Sequence, residues 1–232
     1  MGVKIHIMTP VWMRPKITEV YCLGILRLKD AFGVDCTTCI SPEDKTENKE
    51  ILSDYKIDFV SCENKLGPKK NFLLNAIMGS HFDYLMELNS DDIVKNELIT
   101  MYEPFFHGEV DFFGIDKFTY VNSSDLSCKA YHGGTLHGIG RCYSKTALQY
   151  VLSTGPIWPD KPRGMDLASE DRFLQCGIES VTVEVPVNLA YDIKSDVNIW
   201  KWEDVEGKNA KMDFTGLSSA EIEKLHGLRT NN

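Results

Sequence analysis

The hydrophobic positions along the first 95 residues alternate between two periods, and this alternation predicts repeated strands and helices. Apolar runs of strand type occupy 3–8, 34–40, 58–62 and 82–88. Segments of helical spacing separate them, at 17–32, at 41–55 and from Gly67 onward. Strand followed by helix in this order predicts right-handed βαβ units and a mainly parallel central sheet flanked by helices. The expected fold class is therefore α/β, with a single Rossmann-like domain.

The loops that follow the four predicted strands are the expected ligand site. In an open parallel sheet, ligands bind at the carboxyl ends of the strands. The loops after Met8, Ile40, Cys62 and Leu88 are therefore expected to line one crevice.

The second half of the chain is less regular. Its predicted elements are a strand over 110–121, a glycine-rich turn region at 133–140, a helix capped by Ser144, a loop at 157–164, a helix from about Ser169 to Gly177, a strand over 181–189 and a short helix opened by the Ser218–Glu221 capping box. No linker is apparent, so one domain is expected over 1–232.

Composition narrows the class of protein. Of the 232 residues, 43% are hydrophobic and 25% charged, as in globular proteins, and the formal net charge of −9 disfavours nucleic acid as a partner. The sequence has no apolar run of roughly 20 residues and no signal-peptide pattern, so no transmembrane segment is expected. Seven scattered cysteines favour a reducing compartment, and a cytoplasmic protein is expected, with Cys36 and Cys39 as structural thiols.

Adjacent carboxylates close the fourth predicted strand, in the sequence Asn89-Ser90-Asp91-Asp92. Two buried carboxylates repel each other, and a hard divalent cation such as Mn²⁺ or Mg²⁺ relieves that repulsion. Asp91 and Asp92 are therefore candidate metal ligands. The alternative is a polar turn in which Asp92 caps a following helix.

Two further charged pairs are candidates for chemistry. Lys69 and Lys70 lie in the first turn of a predicted helix, where a bound anion would be favourable, although both could instead be solvated surface lysines. Glu170 and Asp171 fall in the predicted first turn of another helix, where either could act as general base or simply favour the helix. Weaker candidates for sugar or metal contacts are His132, His137, Trp158, Trp200 and Trp202.

Taken in order, these motifs resemble those of GT-A glycosyltransferases, especially the family 2-like group. The similar segments are Thr9-Pro10-Val11 with Arg14, Gly67-Pro68-Lys69-Lys70-Asn71, Leu88-Asn89-Ser90-Asp91-Asp92, Gly138 to Ser144, and Ser169-Glu170-Asp171. Asn89 stands where the first metal-motif Asp is usual. Ser41 follows the second strand where a nucleoside-binding Asp is usual, and Glu43 and Asp44 are the nearest substitutes.

The resemblance implies an inverting transfer of sugar from a nucleotide-diphosphate sugar, with a UDP-sugar expected, to a glycan or other hydroxyl acceptor. It implies Mn²⁺ or Mg²⁺ at Asp91 and Asp92, and Asp171 as the base with Glu170 as its rival. The implied donor-binding residues are Thr9, Pro10, Val11, Arg14, Ser41, Lys69, Lys70, Asn89, Ser90 and Asp91. Residues 1–95 would form the donor half and 96–232 the acceptor half.

Two other functions stay open. A nucleotidyltransferase shares such a sheet, but the loop from Thr9 to Arg14 lacks the glycines of its phosphate loop. A non-catalytic nucleotide-sugar-binding protein of the same fold is the second alternative, and Asn89 favours it.

Overall fold

The computed structural model describes residues 2–44, 46–161, 164–196 and 202–229. Its strands are β1 (Ile5–Pro10), β2 (Asp35–Ile40), β3 (Asp58–Ser61), β4 (Tyr84–Glu87), β5 (Asp92–Val94), β6 (Phe112–Gly114), β7 (Lys117–Asn122), β8 (Cys128–His132), β9 (Arg141–Ser144), β10 (Val181–Thr182), β11 (Ala190–Lys194) and β12 (Lys208–Ala210). Its helices are α1 (Pro15–Phe32), α2 (Thr46–Asp54), α3 (Leu66–Ile77), α4 (Asn96–His107), α5 (Lys145–Ser153), α6 (Met165–Gln175) and α7 (Ser219–Leu228).

The first sheet has the strand order β10-β6-β9-β4-β1-β2-β3 and confirms the predicted parallel core. Strands β4, β1, β2 and β3 run parallel, and only β9 pairs antiparallel with its neighbours. The chain runs outward from β1 to β3 and then returns to place β4 on the other side of β1. The topological switch point therefore lies between β1 and β4, where an open α/β sheet binds its ligand.

A second sheet, with the order β12-β8-β7-β11-β5, was not predicted from the sequence. Its β5 follows β4 after a four-residue turn, so the chain passes from the first sheet to the second at Leu88–Asp91. One face of this sheet buries Ile93, Val121 and Tyr191 against α1 and α7. Its other face consequently points away from those helices.

Several local predictions are confirmed. Helix α1 ends at Phe32, and Gly33 adopts a left-handed conformation with φ 65° that an L side chain would strain. Ser144 caps α5 by accepting a hydrogen bond from Ala147 N, and Ser218 and Glu221 form the predicted capping box of α7.

Other local predictions are wrong. Helix α6 begins at Met165, four residues before Ser169, because Ser169 does not act as a cap; its hydroxyl donates to Asp166 O inside the helix. The predicted strand at 110–121 is split into β6 and β7, which belong to different sheets. Residues 41–44 form a turn before α2, and most of 181–189 lies outside a strand.

The cysteines differ partly from expectation. Cys39 forms a disulfide with Cys62, joining the end of β2 to the segment after β3, whereas Cys36 is a free thiol. Within the described residues, no helix is long and apolar enough to span a bilayer.

Candidate functional site

The loops after β1, β2 and β4 and the start of α3 meet at the carboxyl edge of the first sheet. Lys69 Nζ donates to Val11 O at 2.8 Å and to Ser41 Oγ at 3.2 Å. Ser90 Oγ accepts a hydrogen bond from Trp12 N at 3.2 Å. The loops expected to line the crevice are therefore in contact with one another.

The part of the crevice at the end of β2 holds the carboxylate of Asp44. Asp44 Oδ2 accepts hydrogen bonds from Ser41 N at 2.6 Å, Ser41 Oγ at 2.8 Å and Lys69 Nζ at 2.8 Å. Asp44 Oδ1 is buried with no hydrogen-bond partner among the described residues. Of Glu43 and Asp44, Asp44 is thus the one whose carboxylate is held at the end of β2. Its Oδ1 atom is an acceptor that the described residues leave unused.

Lys69 and Lys70 are both buried, with side chains 2% exposed, so the alternative of solvated surface lysines is wrong. Burial lowers the pKa of Lys69, and its ion pair with Asp44 opposes that shift. Lys70 Nζ forms a buried ion pair with Glu87 at the end of β4, and Tyr143 donates a hydrogen bond to the same carboxylate at 2.8 Å. Lys69 therefore ties the end of β2 to the loop after β1, whereas Lys70 pairs with the end of β4.

Three carboxylates cluster at the switch point. Asp91, Asp92 and Asp192 each place one carboxylate oxygen within 4.8 Å of the other two. Asp192, on β11, is directly opposite Asp92 on β5 and was missed by the sequence analysis. No local pattern could have shown it, because the two residues are brought together only by sheet pairing.

Two cations pair with carboxylates of the cluster. Arg14 Nη1 pairs with Asp91 Oδ2 at 2.6 Å, and Lys194 Nζ pairs with Asp192 Oδ2 at 2.7 Å. Burial opposes ionisation of Asp91, but Arg14 and Lys194 more than compensate and lower its pKa. Burial and the charges of Asp91 and Asp192 raise the pKa of Asp92 well above its usual value.

These residues fit a hard divalent cation. Burial, only partly offset by Lys194, raises the pKa of Asp192 to about 6. Its Oδ1 atom is buried without a hydrogen-bond partner in the described part of the chain, so it is available to a cation. Carboxylate oxygens are the ligands that Mg²⁺ and Mn²⁺ prefer.

Asp92 also shapes the turn. Its Oδ2 accepts hydrogen bonds from Asn89 N at 2.6 Å and Asn89 Nδ2 at 3.0 Å. Asp92 then begins β5, so the alternative in which it caps a following helix is wrong. Asn89 thus holds the turn through Asp92.

The two residues predicted as catalytic base lie away from this cluster. Asp171 is exposed in the second turn of α6, between exposed Leu167 and Leu174 on the same helical face. The prediction that Asp171 occupies the first turn of a helix is therefore wrong. Glu170 accepts a hydrogen bond from Ser180 Oγ at 2.5 Å, and its other carboxylate oxygen lies 3.9 Å from Arg141 Nη2.

Asp166, in the true first turn of α6, lies inside the crevice instead. A Cβ atom on Gly138 would be 3.1 Å from Asp166 Oδ1, 3.1 Å from Glu87 Oε1 and 3.7 Å from Asn89 Nδ2. These atoms therefore surround Gly138, and any side chain there would displace them. Asp166 is consequently close to the turn that carries Asp91.

The environment of Asp166 keeps its carboxylate ionised. Burial alone would raise its pKa, but Arg141, Lys70, His137 and the backbone of Gly138 together lower it. Arg141 is fully buried and positions the helix start, donating to Asp166 O at 3.0 Å and to Ser169 Oγ at 2.6 Å. His137 Nδ1 lies 3.9 Å from Asp166 Oδ2.

The remaining predicted residues have mainly structural contacts. Thr9 is buried and accepts a hydrogen bond from Tyr21 at 2.7 Å, and Pro10 is buried at the end of β1. Trp158 is packed in the core with 1% exposure, and exposed His132 lies 3.0 Å from Asp116. Trp200 lies outside the described residues.

Comparison with solved structures identifies the class of fold. The crystal structure of S. aureus TarS 1–349 matches with a TM-score of 0.53 at 12% sequence identity, covering 98% of this chain and 64% of that chain. TarS is a glycosyltransferase of the GT-A fold, and the α/β architecture described above is that fold. This chain spans 64% of the TarS structure, which is less than two thirds of its length. No protein-family model and no curated protein sequence matches this chain.

Proposed function

We propose that this protein is a glycosyltransferase that transfers a sugar from a nucleotide-diphosphate sugar to an acceptor hydroxyl. The observation that carries the proposal is the placement of the Asp91–Asp92–Asp192 cluster at the switch point of a GT-A fold, beside the ionised carboxylate of Asp166. Residues 1–95 supply most of the donor half in this proposal. Residues 96–232 supply the acceptor half and also contribute Asp192 to the carboxylate cluster.

The donor-binding residues follow from the contacts in the crevice. The nucleoside lies over the loops after β1, β2 and β3, against Pro10, Val11 and the turn from Ser41 to Asp44. A UDP-sugar is the first donor to test. Arg14 and Lys194 border the carboxylate cluster, so they are the cations available to diphosphate oxygens.

Asp91, Asp92 and Asp192 would hold Mn²⁺ or Mg²⁺. A bound divalent cation neutralises charge on the diphosphate leaving group. Asn89 contributes by holding the Asp92 carboxylate, and Ser90 by tying this turn to the loop after β1.

We assign the base role to Asp166 in preference to Asp171 or Glu170, because Asp166 alone of the three lies beside Asn89. Its carboxylate accepts the proton of the acceptor hydroxyl as that oxygen bonds to the anomeric carbon. The bond from that carbon to the diphosphate breaks, and the nucleoside diphosphate departs. Displacement from the opposite side inverts the anomeric configuration.

A panel of nucleotide-sugars, each with and without Mn²⁺, tests the proposal by thermal unfolding and by release of nucleoside diphosphate. Ligand binding raises stability by RT ln(1 + [L]/Kd), so a donor should raise the Tm more strongly with Mn²⁺ than without it. Stabilisation accompanied by slow diphosphate release supports a transferase. Failure of the whole panel to stabilise the protein or to release nucleotide would contradict the proposal.

A non-catalytic binder of nucleotide-sugars is the second candidate. The observation in its favour is the ion pair of Arg14 with Asp91, which occupies a carboxylate that a metal would use. That protein would be stabilised by a donor but would neither hydrolyse it nor transfer its sugar to any acceptor.

A further inference from the structure

Four aromatic rings form a continuous cluster on the second sheet, and we call Phe118, Tyr120, Tyr131 and His137 the aromatic platform. The ring centroids are 4.8 Å apart for Phe118–Tyr120, 5.4 Å for Tyr120–Tyr131 and 5.0 Å for Tyr131–His137. Phe118 on β7 is directly opposite Tyr131 on β8, so their side chains share one face of the sheet. The rings therefore hold one another in fixed positions.

The platform lies on the face that carries the carboxylates. Asp92, Asp192, Tyr120 and Lys129 are register partners across β5, β11, β7 and β8, so they form one row on that face. The opposite face is the one packed against α1 and α7. The platform is thus the continuation of the proposed metal site across the sheet.

The platform also borders the proposed base. His137 Nδ1 lies 3.9 Å from Asp166 Oδ2, and Lys194 Nζ lies 5.0 Å from the centroid of the Tyr120 ring. Burial and the charges of Asp192, Tyr131 and Asp166 raise the pKa of Tyr120, so its hydroxyl stays a hydrogen-bond donor at neutral pH. A molecule resting on Tyr120 would consequently have its hydroxyl groups near Asp166.

Core packing does not fully account for these rings. Phe118 is buried, but Tyr120, Tyr131 and His137 are only partly buried. Neither the Tyr120 nor the Tyr131 hydroxyl forms a hydrogen bond with another described residue, so both are available to a ligand. The platform therefore presents apolar ring surface together with free polar groups.

We propose that the aromatic platform is the acceptor site and that the acceptor is a sugar ring stacked on Tyr120 and Tyr131. This inference rests on the proposed function and adds the class of acceptor to it. A pyranose has one apolar C–H face and a rim of hydroxyl groups, which match the aromatic rings and the neighbouring carboxylates of Asp166 and Asp192. An open-chain polyol or a peptide hydroxyl lacks the flat apolar face.

The test uses the whole protein labelled with 3-fluorotyrosine and followed by ¹⁹F NMR. Single Tyr→Phe variants assign the Tyr120, Tyr131 and Tyr150 resonances among the nine tyrosines. The probes are methyl β-D-glucopyranoside, methyl β-D-galactopyranoside and methyl α-D-mannopyranoside, with xylitol and a serine-containing tripeptide for comparison. Tyr150 is 53% exposed on α5 and is the matched control.

We expect at least one pyranoside to shift the Tyr120 and Tyr131 resonances while Tyr150 stays unchanged. Tyr120→Leu should weaken that binding about tenfold, the scale of one aromatic contact, whereas Tyr150→Leu should not change it. Tyr120→Phe keeps the ring and should retain binding even if the Leu variant folds poorly. Equal shifts with xylitol or the tripeptide, or no shift with any pyranoside, would overturn the inference.

Nucleotide-sugar hydrolysis by the unlabelled wild-type protein separates this inference from the proposed function. Hydrolysis without any pyranoside-induced shift would refute the sugar site and leave the transferase standing. Pyranoside shifts at Tyr120 without donor binding or hydrolysis would refute the transferase and leave a sugar-binding site.

Discussion

Arg14 Nη1 lies 2.6 Å from Asp91 Oδ2, so an ion pair joins the loop after β1 to the turn after β4. Both side chains are nearly buried, at 7% and 10% exposure. The guanidinium therefore occupies the carboxylate that a metal ion would also use, so Arg14 would compete with a bound metal for Asp91.

This competition predicts opposite effects of Arg14→Met with and without metal. Without metal, the variant removes the guanidinium that pairs with the buried Asp91 carboxylate, and breaking a buried ion pair should destabilise the protein by about 3–5 kcal/mol. With Mn²⁺, the loss of a competing positive charge should make the metal-induced rise in Tm larger than in the wild type. Thermal unfolding with and without Mn²⁺ measures both effects, and Arg172→Met, which removes an arginine outside the cluster, is the control. A smaller Mn²⁺-induced rise in Arg14→Met than in the wild type would exclude competition.

Asp192 is predicted to be a metal ligand as important as Asp91. Asp192→Asn removes a charge that only sheet pairing brings to the site. Loss of an outer-shell partner typically lowers metal affinity roughly 10–100-fold, so loss of this ligand should lower the Mn²⁺ affinity, measured by calorimetry, at least as far. Asp30→Asn, at an exposed position of α1, makes the same chemical change elsewhere and should leave the affinity unaltered. Equal Mn²⁺ affinities in Asp192→Asn and Asp30→Asn would remove Asp192 from the site.

Asp166 and Asp171 provide a matched pair for the base, since both are aspartates on α6. Asp166→Asn should retain donor binding and lose on the order of 10² in the rate of sugar transfer, the usual scale for removing a general base. Asp171→Asn should transfer sugar at close to the wild-type rate, because its side chain is exposed. The reverse result would restore the base predicted from the Ser169-Glu170-Asp171 motif.

The ion pair of Lys69 with Asp44 is predicted to organise the nucleoside side of the crevice. Lys69→Met leaves the Asp44 carboxylate buried without its cation and should cost about 3–5 kcal/mol of stability. The double variant with Asp44→Asn should recover part of that loss, because no buried charge remains. Denaturant unfolding of the two single variants and the double variant gives the coupling free energy. Additive losses in the double variant would show that the two side chains do not interact.

The parallel half of the fold could be predicted because its signals are local. The helical spacing from Ile17 to Phe32 and the stop at Gly33 lie within one stretch of sequence. Once the strands were predicted, their carboxyl ends indicated where the crevice lies. The second sheet could not be predicted, because its strands are short and pair residues as distant as Asp92 and Asp192.

The start of α6 was misplaced for a related reason. Helix α6 begins after Gly164, which lacks a capping side chain, whereas the sequence predicted its start near Ser169. The bond of Ser169 with buried Arg141, which is a tertiary contact, gives that serine a different role. Asp166 was consequently treated as part of a flexible loop.

Because the chain passes from one sheet to the other at Leu88–Asp91, the proposed nucleotide-binding residues and the proposed acceptor-binding residues lie on different sheets. Asp92 and Asp192 belong to the same ladder of strands as Tyr120, whereas Ser41, Asp44 and Lys69 belong to the edge of the first sheet. Under the proposed function, the residues that select the nucleotide are thus separate from those that bind the acceptor. The carboxylate cluster joins the two groups, since Asp91 pairs with Arg14 of the loop after β1 and Asp192 is the register partner of Tyr120. Substitutions at the end of β2 could exchange one nucleotide for another without retuning the metal or the acceptor, which makes that loop the place to begin when redesigning the donor.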